Sequence, residues 1–177
     1  MMDNSDATTK AETEAARAGQ QLRPGLWQTI NERYPGSLIT KADAVPLAQL
    51  RRPLSESQLT FISTSGVQPK GSLPFDVVHP IGDFSFRRVP STATPDELEI
   101  HQLKYPTFGA RRDLNVIFPI ERLQELAAEG VVGSLTAHFF TFIGYNMDPE
   151  RFERTLAEEI ADAVVADGAD IALAAPA

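Results

Sequence analysis

From Gln58 onward, apolar and polar positions alternate between two periods, and the changes of period mark the elements. Gln58-Leu59-Thr60-Phe61-Ile62-Ser63-Thr64 is rich in β-formers and is broken by Ser65-Gly66, which predicts a strand. Pro119 suits a first helical position, Ile120, Leu123, Leu126 and Ala127 share one face, and Gly130 supplies the stop, so a helix follows. Val131 to Phe142 reads as strand, with Phe139, Phe140 and Phe142 adding β propensity and Gly133 a bend. Asp148-Pro149 opens the last helix as N-cap and first residue. Phe152, Leu156, Ile160 and Ala163 or Val164 line its buried side, and Glu153, Glu158 and Asp162 its wet one. Gly168 ends it, and Ile171-Ala172-Leu173-Ala174 predicts a short buried strand.

The N-terminal third is less patterned. Residues 1–20 are small and polar and are expected to form a disordered tail. Leu26, Trp27, Ile30 and Tyr34 recur at helical spacing, predicting a short amphipathic helix over Leu22–Tyr34 that Pro35-Gly36 closes. Ser37 to Ser57 reads as a connector holding one helical turn. Between Val67 and Pro119 stand Pro69, Pro74, Pro80, Pro90, Pro95 and Pro106 with no sustained period. This stretch is expected to be an ordered excursion over the strand ends, with one short strand at Phe84-Ser85-Phe86-Arg87. Strand, excursion, helix, strand, helix, strand describes α/β with a mainly parallel open sheet and flanking helices, Rossmann- or flavodoxin-like, and incomplete at its C-terminal side. Residues 21–177 then form a single domain.

Composition narrows the function classes. A hydrophobic content of 42% is globular, yet no apolar run approaches the roughly 20 residues of a membrane helix. The start lacks the basic-then-apolar order of a secretory signal, so a cytoplasmic location is expected. A formal net charge of -8 opposes binding to nucleic-acid backbones. With no cysteine, these residues supply no disulfide, thiolate metal site or thiol chemistry of their own.

Few positions offer chemistry. Ser63-Thr64-Ser65-Gly66 follows a strand and reads as a turn or, alternatively, as an anion- or carboxylate-binding loop; it lacks the glycine and lysine spacing of a phosphate loop. His79, His101 and His138 are too scattered for a local metal motif, and neither a metal nor a cofactor is expected. His138 reads as a structural imidazole near the sheet end or, beside Thr141 and Tyr145, as a catalytic proton donor. Asp113 and Asn115 suit a turn or an N-terminal cap.

Taken together, Phe61-Ile62-Ser63-Thr64-Ser65-Gly66-Val67, Pro74-Phe75-Asp76, Ser85-Phe86-Arg87 and the run Asp113-Leu114-Asn115-Val116-Ile117-Phe118-Pro119-Ile120-Glu121-Arg122-Leu123 resemble the selenoprotein B family. That family comprises subunits of glycine, sarcosine, betaine and D-proline reductases. Gly130 to Gly144 resembles it as well, while His101-Gln102-Leu103-Lys104-Tyr105-Pro106 departs from its pattern and leaves Tyr105 and His101 as remnants. The resemblance implies an oxidoreductase with a disulfide or dithiol as redox partner, which reductively cleaves an amine or amino-acid derivative. A selenocysteine- or cysteine-x-x-cysteine motif is implied directly after the strand corresponding to Asp170-Ala175. The expectation is therefore a chain that stops before its redox residue, keeping a scaffold and a substrate pocket lined by Ser63, Thr64, Ser65, Asp113, Asn115 and Tyr105, with His138 catalytic. The alternative is a non-catalytic α/β binding or partner subunit of a larger complex; a hydrolase or isomerase built on His138 and an aspartate ranks third. Either leading reading carries a protein partner or self-association.

Overall fold

Strand β1, Gln58–Ser63, is the axis of the molecule. Leu59 and Phe61 point to one face and Thr60 and Ile62 to the other, and both faces are covered, as a central parallel strand requires. The computed structural model describes residues 49–103 and 105–177, together with Glu32, which is helical. The chain divides into Met1–Asp43 and Ala44–Ala177, and the architecture below belongs to the second unit. The tail and, apart from Glu32, the helix expected at Leu22–Tyr34 lie outside the described residues.

A 3₁₀ turn at Leu54–Glu56 leads into β1, the single helical turn expected of the connector. After β1 come β2 (Val67–Pro69), β3 (Phe86–Pro90) and β4 (Leu98–Ile100). Next are helix α1 (Ile120–Ala128), β5 (Ser134–Leu135) and β6 (His138–Phe142). Helix α2 is α-helical over Pro149–Arg151, π-helical over Phe152–Ala157 and α-helical again over Glu158–Ala166. Strand β7, Ile171–Ala175, closes the order.

On one flank β1 pairs in parallel with β5 through Gln58 and Leu59, and with β6 through Ile62 and Ser63. On the other it pairs in parallel with β7 along Leu59–Ser63. The offset between the β5 and β6 registers marks a bulge at Thr136-Ala137, so the single strand expected over Val131–Phe142 is two segments of a bent one. The excursion is more structured than its proline content suggests. Its short strand falls at Phe86–Pro90, not Phe84–Arg87, and extends the sheet antiparallel to β6. Pro90 is tolerated because this is an edge strand with no neighbour needing its missing N–H. Strands β2 and β4 pair antiparallel as a separate ribbon.

The helices cover opposite faces. Ile120 and Leu123 of α1 pack with Leu59, Phe61, Phe118 and Phe139, whereas Leu156, Ile160 and Ala163 of α2 pack with Phe140, Ile62 and Phe142. Phe61, Phe118 and Phe139 meet edge to face at centroid separations of 5.4, 6.0 and 6.1 Å. Asp148 caps α2 by accepting from the Arg151 amide at 3.0 Å, and Glu153, Glu158 and Asp162 face solvent. One expectation is corrected: β7 is a half-exposed edge strand with Leu173 43% accessible, because it pairs only with β1 among the described residues. Among the described residues no helix is long and apolar enough to cross a membrane.

Candidate functional site

The C-terminal ends of β1, β6 and β7 converge, and the loops leaving them enclose a cleft of about 420 Å³. Thr64, Gln102, Tyr105, Gly144, Tyr145 and Ala177 contribute to its wall. At the end of β1 the chain turns sharply at Gly66, whose φ is +65°. A Cβ there would lie 2.6 Å from the His101 carbonyl oxygen, so only glycine fits. The Gly66 amide donates to the Phe142 carbonyl at 3.1 Å, and the His101 amide donates to the Gly66 carbonyl at 2.9 Å. The ends of β1 and β6 and the backbone at His101 are thereby held as one unit.

Within this turn the three hydroxyls have different fates. Ser63 and Ser65 are buried. The Ser63 Oγ accepts from the Ser65 amide at 3.2 Å, and the Ser65 Oγ accepts from the Val67 amide at 3.4 Å. Both do the local work of a Ser turn. Thr64 alone faces the cleft, where its Oγ1 accepts the Ala177 amide at 2.9 Å. Gly144 packs so close to it that a Cβ would lie 2.9 Å from the Thr64 Cβ. Tyr105 spans the turn: its hydroxyl donates to the Ser65 carbonyl at 2.8 Å, and burial pushes its phenol above the ordinary tyrosine value.

Asp113 and Asn115 form a neighbouring cap outside this cleft. Asp113 accepts from the Asn115 amide at 3.0 Å, and Asn115 Nδ2 donates to Glu121 Oε2 at 2.6 Å while its Oδ1 accepts from the Glu121 amide at 3.2 Å. They fix the entry to α1, and through Ile117, whose carbonyl accepts from Ser63 Oγ at 3.4 Å, they buttress the β1 turn from behind. His138 lies elsewhere. Its carbonyl accepts from Thr60 Oγ1 at 3.2 Å, which sets it level with Thr60, about 13 Å back along the strands from Thr64. There its Nδ1 is 3.0 Å from Asp167 Oδ2, which also accepts the His138 amide at 3.1 Å; Asp167 Oδ1 is 3.4 Å from Arg88. The geometry thus groups Ser63, Thr64, Ser65 and Tyr105, seats Asp113 and Asn115 behind them, and leaves His138 in the α2–β7 corner.

Gly144 and Gln102 were not among the residues expected in the pocket. Gly144 follows an apolar strand parallel to β1, so the pairing of two strand ends was the signal that pointed to it. Two other clefts, of about 430 and 690 Å³, run beside the β2–β4 ribbon. They carry Lys70, Asp96, Arg111 and Arg112, but Lys70 Nζ is already bonded to the Asp96 carbonyl at 2.5 Å, and no residue that ends β1, β6 or β7 lines them. Among the described residues no group of His, Asp and Glu could hold a metal ion.

Comparison with known proteins places the chain among reductase subunits. The chain is 28% identical over 122 residues to D-proline reductase subunit gamma of Acetoanaerobium sticklandii, covering 69% of this chain and 49% of that one. It is 26% identical over 105 residues to glycine reductase complex component B subunit gamma of Carboxydothermus hydrogenoformans, covering 58% and 24%. To the subunit of the same name from Peptoclostridium acidaminophilum it is 23% identical over 131 residues, covering 72% and 30%. The chain therefore spans half or less of the length of these relatives. No solved structure matches it. A family model for glycine/sarcosine/betaine reductase selenoprotein B matches residues 12–175, and the chain belongs to that family.

Proposed function

We propose that this chain is the substrate-side scaffold of a thiol- or selenol-dependent reductase. In this reading its strand-end cleft holds a small amine or amino-acid derivative beside a chalcogen nucleophile contributed from outside these 177 residues. The observation that carries the reading is the convergence of β1, β6 and β7 on one cleft, in a chain of this family that has no cysteine. The strand order β6-β1-β7, with α1 and α2 on opposite faces, supports a doubly wound, flavodoxin-like arrangement. In such sheets ligands lie where neighbouring strands send their connections in opposite directions. The chain leaving β1 goes on to β6 on one side of it and β7 lies on the other, and the ends of β1 and β7 meet at the cleft.

The chemistry proposed is a two-electron cleavage of a C–N bond. A selenolate or thiolate displaces nitrogen from carbon, and the departing amine takes a proton. A second thiolate then attacks the chalcogen, carbon leaves with the bonding pair and is protonated, and the two chalcogens end as a selenenyl sulfide or disulfide. Carbon gains the two electrons that the chalcogen pair loses. In this scheme Thr64 Oγ1 positions the substrate, Tyr105 fixes the turn, and Asp113 and Asn115 buttress it. His138 is assigned to the α2–β7 corner, not to proton transfer. The names of the relatives and of the family make D-proline, glycine, sarcosine and betaine the compounds to try, and a protein partner part of the working assembly.

Amide chemical-shift mapping tests the reading. Titration of the four compounds is expected to move the signals of Thr64, Gly144 and Ala177 for at least one of them, with no product formed in the presence of excess dithiol. Shifts confined to the β2–β4 clefts, or turnover by the cysteine-free chain, would overturn it.

A further inference from the structure

The two edges of the sheet are built differently. Strand β3 reads Phe-Arg-Arg-Val-Pro, with charged side chains and a proline that discourage further pairing. Strand β7 reads Ile-Ala-Leu-Ala-Ala and has none of these devices, although it pairs only with β1 among the described residues. Beside it, on the face covered by α2, lies a groove of about 410 Å³ lined entirely by apolar side chains, among them Ile62, Phe152, Val164, Val165 and Ala172. Val165 is 76% exposed there. An apolar strand edge and an apolar helix-side groove, adjacent and both open, are unusual on one soluble surface.

Chain direction says what fits both. From β1 the chain passes over α1 to β6 on one face, and from β6 it returns past β1 over α2 to β7 on the other. Right-handed crossovers that continue in the β6-to-β7 direction keep their helices on the α2 face. A further unit of that kind would lay its helix in the groove and its strand, parallel, along the free edge of β7. Such a unit needs about 30 residues. D-proline reductase subunit gamma carries about as many residues outside its matched 122 as within them, since that match covers 49% of it. A two-fold pairing with a second copy would satisfy the edge but set groove against groove.

We infer that the β7 edge and the α2–β7 groove are a docking site for one helix–strand unit from polypeptide outside these 177 residues, with an apolar helix face and a strand parallel to β7. The inference does not depend on the chemistry proposed above. Its test is co-expression of the full chain with the other half of D-proline reductase subunit gamma as a separate polypeptide, followed by hydrogen exchange. The expected result is a one-to-one complex in which the outward amides of Ala172 to Ala174 exchange roughly 100-fold more slowly than in the free, monomeric chain. Val165→Glu, at an exposed position that leaves the melting temperature of the free chain unchanged, is expected to weaken the complex about tenfold or more. Four results would each overturn the inference: no complex, a complex indifferent to Val165→Glu or with β7 unprotected, a dimer of the chain through β7, or a monomer in which β7 is already protected.

Discussion

Asp83 is the most heavily engaged carboxylate of the excursion. It accepts the Asp76 amide at 2.6 Å, the Ser85 amide at 2.7 Å and the Ser85 hydroxyl, while Arg87 bonds Ser85 Oγ at 2.9 Å and lies 4.1 Å from the centre of the Phe75 ring. Burial pushes its pKa up, but the Ser85 hydroxyl, the two amides and the Arg87 charge together outweigh burial and hold it below the ordinary value. A carboxylate with a depressed folded pKa adds stability that is present above its unfolded value and is lost as pH falls through the folded one. Asp83→Ala is therefore expected to cost about 1–2 kcal/mol at pH 7, with the gap to the parent narrowing as pH drops below about 4 in urea melts. Tyr105 has the opposite sign. Its raised value means a contribution fully present below the unfolded pKa of 10.0 and lost as pH rises through the folded one. Tyr105→Phe is expected to cost about 1 kcal/mol through the lost Ser65 bond and to remove that alkaline slope.

At the scale of elements, turns decide the site. Gly66 combines φ +65° with a Cβ position 2.6 Å from a backbone oxygen, so Gly66→Ala carries both backbone strain and a clash that no rotamer relieves. It is expected to cost about 2–4 kcal/mol in denaturant melts and to broaden the amide signals of His101 and Gln102. Gly144→Ala meets Thr64 Cβ at 2.9 Å, which moves only with the turn itself, but carries no positive-φ strain, so a smaller loss of about 1–3 kcal/mol is expected. The same turns mark what could be read in the sequence. Strands β1 and β7 and helices α1 and α2 were legible because each is a continuous apolar pattern between clear stops. Strands β2 and β4 were hidden by prolines, whereas β3 was read, but placed too early, because its extent is set by pairing with β6, from which some fifty residues of chain separate it. The site was legible only in part. Ser-Thr-Ser shows three hydroxyls, but not that Ser63 and Ser65 turn inward and leave Thr64 at the cleft, nor that register strands His138 near Thr60.

For the whole molecule, one sheet is held by two separate cores. Phe118 is fully buried among Phe61 and Phe139 on the α1 face, and Leu156 is fully buried against Phe140 on the α2 face. Phe118→Ala leaves an aromatic-sized cavity and is expected to cost about 3–5 kcal/mol, and Leu156→Ala about 2–5 kcal/mol. The two side chains belong to different clusters with the sheet between them, so their effects should add to within about 0.5 kcal/mol. A domain of this size has a total stability of about 5–15 kcal/mol. Each single variant should keep a cooperative urea transition at a lower midpoint. The double variant should lie at or near the threshold, losing its near-ultraviolet circular dichroism at 25 °C. Should the double variant instead melt at the midpoint of the weaker single one, the two faces would not be independent, and the layered account of this fold would have to give way to a single shared core.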